Sequence, residues 1–405
     1  MTEQTKVVVI GGGIVGCSVL YGLAKRGVTD AVLLERRQLT SGSTWHAAGN
    51  TTYFGPYPAM TRLFTGSIKT YLEAEALSGQ SVGFHQTGSL RLATSAAELE
   101  AYRGLEALYD ELGIPYHVIS PEEVAAIYPL LNLEGVHGAA HTPTDGHVDA
   151  SGATYALAKA ARQLGATIKT NSPVTGIERA GAGWRVHLEG KTIEAEHVVL
   201  AASFWARELA QQIGLDLPLY ALQHHEVITG PVKELQGLTE ELPTVRDPRA
   251  PANIRQERDG FLCGVYEQNP KFWATEGIPK DFTEELLPPE LDRLIPEMER
   301  VIERLPCFGD AGIKTVNNGP ICYTPDGLPL LGPVAGHDGM WLASGFTVGI
   351  GTGGGAGDYL AHWIATGAPE FELSMTSPAR FPKTMPRDEV LDRIKSAYEA
   401  GYSLK

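Results

Sequence analysis

The sequence predicts an α/β fold, with a Rossmann-like nucleotide-binding domain joined to a second domain built on a mostly antiparallel β-sheet. Three observations point there. A β-branched run meets a glycine-rich turn near the N-terminus, strand-like and helix-like runs alternate again from residue 149, and residues 216–315 turn to prolines, aromatics and charged turns. At 405 residues, 43% of them hydrophobic and 20% charged, the chain exceeds one ordinary core and has the composition of a globular protein.

Lys6-Val7-Val8-Val9-Ile10 reads as a buried parallel strand. It runs directly into Gly11-x-Gly13-x-x-Gly16, after which Val15, Val19 and Leu23 repeat at helical spacing until Lys25-Arg26-Gly27 stops the helix. A second strand, Ala31-Val32-Leu33-Leu34, ends on Glu35. In this pattern Gly11 permits a tight turn, Gly13 lets a pyrophosphate touch the backbone, and Gly16 packs helix on strand. The amides of the first helical turn, at Ile14 and Val15, then face the phosphates. Glu35 can accept both hydroxyls of an adenosine ribose, which favours NAD or FAD over NADP without separating those two.

The chain returns to this domain later. Residues 149–165 read as a helix, 166–169 and 173–177 as strands, 184–188 as an alternating strand, and 197–202 as a buried strand ending in small residues. Val174 and Ala202 fall at the ends where a dinucleotide would lie. Further on, Gly349-x-Gly351-x-x-Gly354 follows the strand-like Met340–Ala343 run, but no second strand ending in an acid comes after it. It therefore reads as a glycine-lined loop against a flat ring, with Gly345, Gly349, Ile350, Gly351 and Thr352 toward the cofactor and a helix end stabilising negative charge there. The division that results is 1–84 with 149–215 and 316–370 for the cofactor domain, 85–148 with 216–315 for the substrate domain, and a tail at 371–405 ending in a helix from Asp388 to Tyr398.

Other classes are disfavoured. A formal net charge of −15 without a basic run argues against nucleic acid. Cys17, Cys263, Cys307 and Cys322 form no CxxC, so they read as separate thiols of a reducing compartment, and no metal site is expected. Ile14-Val15-Gly16-Cys17 mimics a lipoprotein box, but Gly11-Gly12-Gly13 would break an export helix. No membrane insertion and a cytoplasmic location are expected.

Several stretches together carry a resemblance. They are Gly11 to Gly16 with Glu35, the Ser41-Gly42-Ser43-Thr44-Trp45-His46-Ala47-Ala48-Gly49 block, Gly83-Phe84-His85-Gln86, Asp145-Gly146-His147-Val148-Asp149, Arg255-Gln256-Glu257-Arg258-Asp259-Gly260, and Gly345-Phe346 into the glycine-rich segment. With these the chain resembles the D-amino-acid-oxidase-like FAD-dependent oxidoreductases, more narrowly the flavoprotein portion of the dimethylglycine and sarcosine dehydrogenases. The resemblance implies a FAD-binding domain of the glutathione-reductase type 2 class, with Arg36, Ser43, Thr44, Ala47, Ala48 and Gly49 around the cofactor and His46 bonded covalently to the flavin. It also places a catalytic histidine on a substrate-domain strand at His224. His225 then points to the opposite face, and is kept as a substrate-side candidate.

Where relatives carry a tyrosine before the Arg-Gln-Glu-Arg stretch, this chain has Asn253. Arg91 and Arg255 are candidates to hold a substrate carboxylate. The implied reaction is oxidative N-demethylation of a small amine, with oxygen or an electron-transfer flavoprotein as acceptor. Deamination by the same hydride step and a non-catalytic flavin-binding assembly role are the alternatives. Because the chain stops at Lys405 after a charged tail, no folate-binding half is expected, and the methyl carbon is expected to leave as free formaldehyde.

Overall fold

The computed structural model describes residues 2–55, 57–382 and 384–401. The first sheet is organised by Thr2–Ile10, which lies between Lys191–Leu200 and Ala31–Leu34, all parallel. Thr167–Lys169 extends one side and Met340–Ser344 the other, again parallel, and Leu330–Pro333 closes that edge antiparallel. Val7, Val8 and Val9 have no exposed surface, because both faces of the strand are covered. The strand starts four residues earlier than its hydrophobic run. Thr2 to Thr5 are held by the ladder to Thr192–Ala195, so backbone pairing extends the element where side-chain patterning gives no sign. The Lys191–Leu200 strand stops at Leu200, after which the Ala201 N–H still donates to the Ile10 carbonyl at 2.9 Å and Ala201 and Ala202 line the cavity.

One face of this sheet carries the helices Ile14–Lys25 and Ala150–Gln163, the latter capped by the Asp149 carboxylate accepting the Ser151 N–H at 3.0 Å. Packed over them are Pro58–Ser78 and Gly349–Thr366. Here the glycine-lined loop expected at 349–354 is corrected. The segment is helical from Gly349 onward, and its glycines form the inner face of that helix. A Cβ on Gly355 would stand 2.1 Å from the Leu63 carbonyl oxygen, and one on Gly357 would stand 2.3 Å from the Ser18 Cβ. The glycines are there so that three helix backbones can touch.

The second sheet has nine strands and is mostly antiparallel. Tyr220–Thr229 pairs with Gly260–Val265 and Phe272–Trp273, and Ala252–Glu257 with Thr244–Asp247 continue the path. The path reaches Ser89–Ala93 through its one parallel step and ends in Gly138–Thr142 and His117–Ile119. Ile313–Tyr323 pairs along the other edge of Tyr220–Thr229. Residues 316–323 therefore belong by hydrogen bonding to this sheet, not to the cofactor sheet in which the sequence division places them. The helix Arg387–Glu399 is not a detached tail. Val390, Ile394 and Tyr398, at i, i+4 and i+8, dock on Tyr220, Leu222, Tyr266 and Tyr323.

Replacing Gly357 with valine forces side-chain atoms into the backbone of the Ile14–Lys25 helix, which cannot move aside. The variant should lose about 3 kcal/mol or more of stability in denaturant unfolding.

Candidate active site and cofactor cleft

Between the two sheets lies a cavity of about 990 Å³. Gly11, Gly13, Ile14 and Val15 form one end of it, where the first strand turns into the first helix. Gly11 has φ +115°, and a Cβ there would lie 2.4 Å from the Ala201 carbonyl oxygen, so only glycine makes this turn. Gly16, expected among the cofactor contacts, does not line the cavity. Its missing Cβ would sit 2.0 Å from the Gly11 carbonyl oxygen, so it acts one layer behind, by letting the helix close on the strand.

Glu35 lines the same end. One carboxylate oxygen accepts the Gly12 N–H and the other the Arg37 N–H, both at 2.7 Å. Burial raises its pKa and these amides oppose the rise. Arg36 reaches the cavity edge with its guanidinium 5.2 Å from the Trp205 ring centroid and donating to the Lys280 carbonyl at 2.7 Å. Val174 and Ala202 line the cavity beside it. A strand, a glycine turn without Cβ atoms, a helix start and a buried acid in one cleft fit the adenosine and pyrophosphate of a dinucleotide such as FAD.

The loop from Ser43 to Gly49 runs along the middle, and Ser43, Thr44, His46, Ala47, Ala48 and Gly49 all line the cavity. Ser43 donates to the Pro320 carbonyl at 3.0 Å, and Thr44 accepts the Ile14 N–H at 3.2 Å, tying the loop to the first helical turn. The His46 ring lies against Gly319, where a Cβ would fall 2.3 Å from its Cε1. Burial holds this imidazole down to about 4, so it is neutral. At Ala48 the peptide is gripped from both sides. Its N–H is donated to the Glu226 carboxylate, and its carbonyl accepts from Arg255 Nε at 3.0 Å.

That grip corrects two expectations. Arg255 does not face the cavity; it holds the loop and pairs with Glu257 at 2.7 Å. Arg91 lies outside the cavity too, with its guanidinium 4.0 Å from the centroid of the Phe54 ring. At the far side, Gly345, Gly349, Ile350 and Gly351 line the cavity around the start of the Gly349–Thr366 helix. Thr352 does not, because its hydroxyl turns back to donate to the Val348 carbonyl at 2.9 Å.

The strand Tyr220–Thr229 separates its two histidines by alternation. His224 and Glu226 line the cavity. His225 faces the other way, fully buried, with its Nε2 accepting the Glu290 N–H at 3.3 Å, and so is not a substrate contact. His224 Nδ1 lies 2.9 Å from the Tyr398 hydroxyl, whose proton is committed to Glu267 at 2.6 Å. Tyr398 therefore accepts from Nδ1–H, and the second ring nitrogen of His224 keeps its lone pair. Burial, then the neighbouring His225 and His46, hold His224 down to about 3. Glu226 is pushed up to about 7 by burial, against the pull of Arg255.

Asn253 lines the cavity and accepts from the Asn50 amide at 2.9 Å. Directly across the ladder from Asn253 stands Arg246, a buried cavity residue that sequence reasoning passed over. The turn signal Asp247-Pro248 to Pro251 between the two strands is what could have paired them. Tyr266 and Tyr398 were also missed. Tyr398 is delivered from the C-terminal helix, 174 residues beyond its partner.

Comparison with known proteins gives the same picture. The family described as DAO, FAD dependent oxidoreductase, matches residues 6–363. Mitochondrial dimethylglycine dehydrogenase of Mus musculus is 42% identical over 387 residues, covering 94% of this chain and 44% of that protein. Mitochondrial sarcosine dehydrogenase of Homo sapiens is 36% identical over 417 residues, covering all of this chain and 44% of that protein. The chain thus spans less than half the length of these curated relatives. Among solved structures, L-proline dehydrogenase from P. horikoshii matches with a TM-score of 0.81 at 27% identity, covering 94% of this chain and 98% of that one.

The burial of His224 has a pH signature. The unfolded chain takes up a proton on this ring near 6.5, whereas the folded protein holds it off until about pH 3. Its contribution to stability is therefore whole above pH 6.5 and is lost as pH falls toward 3. In His224→Asn this dependence disappears, so the stability difference between wild type and variant should shrink on acidification, by at most about 1.4 kcal/mol per pH unit. A difference that stays flat below pH 6.5 would show that His224 is not held neutral.

Proposed function

The chain belongs to the DAO family of FAD-dependent oxidoreductases, and from that premise we propose that it removes an N-methyl group oxidatively from a small amino acid of the dimethylglycine or sarcosine type. One observation carries the reading: a single cavity joins a dinucleotide cradle to an end where a buried guanidinium, Arg246, and a neutral imidazole, His224, both face inward. When bound, FAD supplies the two-electron acceptor for the hydride that leaves the N-methyl carbon. The two dehydrogenases similar to this chain are named for N-methylated glycines, and the cavity chemistry suits that class.

Arg246 is the side chain for the substrate carboxylate, since a planar guanidinium on a rigid strand gives paired, charge-assisted hydrogen bonds. His224, held uncharged, places no cation beside the iminium that hydride loss creates, which a charged imidazolium would oppose. Tyr398 and Glu267 hold its tautomer, and so are positioning residues. Asn50 and Asn253, linked to each other, offer a small polar wall where the N-methyl groups lie. The iminium left after hydride loss takes up water and separates into formaldehyde and the demethylated amine. His46, neutral and locked against Gly319, is the proposed point of covalent attachment, because an unprotonated ring nitrogen held in one place is what such a bond requires.

Two measurements test this. Anaerobic mixing of the yellow protein with sarcosine, dimethylglycine, proline and unmethylated amino acids should bleach the flavin with the N-methyl compounds and release formaldehyde. Ammonia and a keto acid instead would replace demethylation by deamination. In Arg246→Met, kcat/KM for a carboxylate-bearing amine should fall by about 1.5–3 kcal/mol in transition-state binding, with a neutral N-methylamine affected far less.

The attachment has its own readout. After acid precipitation the wild-type pellet should keep its yellow fluorescence, while His46→Ala should release all flavin to the supernatant. Flavin in the wild-type supernatant would remove the tether and leave the rest of the reading standing.

A further inference from the structure

Among the described residues, one cluster of metal-ligating side chains lies outside the cavity. His85, His147 and Glu241 offer Nδ1, Nε2 and a carboxylate oxygen within 4.8 Å of one another. Glu241 spans the two rings, 2.8 Å from His85 Nδ1 and 2.5 Å from His147 Nε2. The rings lie nearly parallel with centroids 4.9 Å apart. From this arrangement we propose a binding site for one late first-row divalent cation, of which Zn²⁺ is the type.

The backbone fixes two of the three ligands before any ion arrives. His85 donates its N–H to the His147 carbonyl at 2.9 Å, and His147 returns the bond at 3.1 Å. Such a directly opposed antiparallel pair sends both side chains to one face, as a chelating pair needs. The approach is closed around Gly146, where a Cβ would lie 2.0 Å from the His85 carbonyl oxygen. His147 is largely buried and its orientation set, while the His85 side chain is 57% exposed and leaves an entry path. Two imidazoles and one carboxylate, with the remaining positions open to water, form a ligand set used by zinc and by other divalent first-row ions. Three neighbouring hydrogen-bonding side chains could instead be a plain polar cluster. What favours an ion is that both ring nitrogens turn on the same carboxylate, a centre that one cation satisfies together.

The site is structural in its consequence. His147 stands opposite Asn50 in the two-stranded ribbon Asn50–Thr51 with Gly146–His147. The Asn50 amide in turn holds Asn253 in the substrate end of the cavity. An ion at His85, His147 and Glu241 would therefore pin the ribbon that carries Asn50, without entering the reaction.

The test uses the flavin-loaded protein, stripped with a chelator and then dialysed against Zn²⁺, with bound metal measured by atomic emission and unfolding followed by calorimetry. One Zn²⁺ per chain should be retained, and it should raise the unfolding midpoint. His85→Ala, whose side chain is exposed enough to be removed without disturbing the core, should weaken binding by about tenfold or more, and Glu241→Gln should do likewise. Both variants should lose the thermal shift while keeping the metal-free midpoint of the wild type within a few degrees. No retained metal, or retention that neither substitution weakens, overturns the proposal.

Discussion

One wall of the cavity, the start of the Gly349–Thr366 helix, is set by a single contact, the meeting of three helices at a face that has no side chains. Gly354, Gly355 and Gly357 put the Gly349–Thr366 helix directly on Ser67, Leu63 and Ser18. Each glycine in a helix interior costs about 0.5–1 kcal/mol against alanine, so the chain is giving up helical stability for proximity. The approach is completed by hydrogen bonds that ordinary helix packing does not make. Ser67 accepts the Gly355 N–H at 2.9 Å, and Tyr71 both accepts the Gly354 N–H and donates to the Ile350 carbonyl at 2.6 Å. Because Ile350 and Gly351 line the cavity, the same contact that joins the helices also sets where the cofactor cleft ends.

A second constraint acts at Ala48. Its peptide is caught between Glu226, two residues from His224 on the same strand face, and Arg255 on the neighbouring path of the antiparallel sheet. The loop carrying His46 belongs to the first domain, yet it is held by the second. The two sheets thus share one element at the centre of the cavity, and its electrostatics follow. Burial keeps His46 and His224 neutral and pushes Glu226 up to about 7, and the Arg246 guanidinium faces the same space. On the proposed reading, a substrate with a carboxylate at one end and an uncharged amine at the other would meet Arg246 and the neutral imidazole respectively.

What could be read from the sequence was what local pattern determines. The strand, glycine turn, helix and Glu35 are contiguous, and all fall where their spacing puts them. Alternation put His224 and His225 on opposite faces, and the family resemblance picked His224 as the one facing the cofactor. Failures occur where tertiary contact decides. The second glycine motif looks like a loop because propensity counts glycine against helix, and only the facing backbones explain why it is one. Arg91 and Arg255 sit near the right motifs, but Arg91 lies over Phe54 and Arg255 bonds the Ala48 carbonyl, both in distant loops, whereas Arg246 sits in no motif and becomes visible only through its register with Asn253. The His85, His147 and Glu241 cluster was beyond a reading based on cysteine spacing, since its side chains come from three distant segments, two of them joined by a β-bridge.

The anchoring of His224 by Tyr398 also bears on how the protein is made. Synthesis proceeds from the N-terminus, and domains can begin folding as they emerge. Glu35 and the glycine turn are available early, but the first sheet lacks its Met340–Ser344 strand until residue 344 has been made. The imidazole waits longer still, for a hydroxyl near the end of the described chain. A nascent chain therefore holds the glycine turn and Glu35 well before it holds the hydroxyl that orients His224.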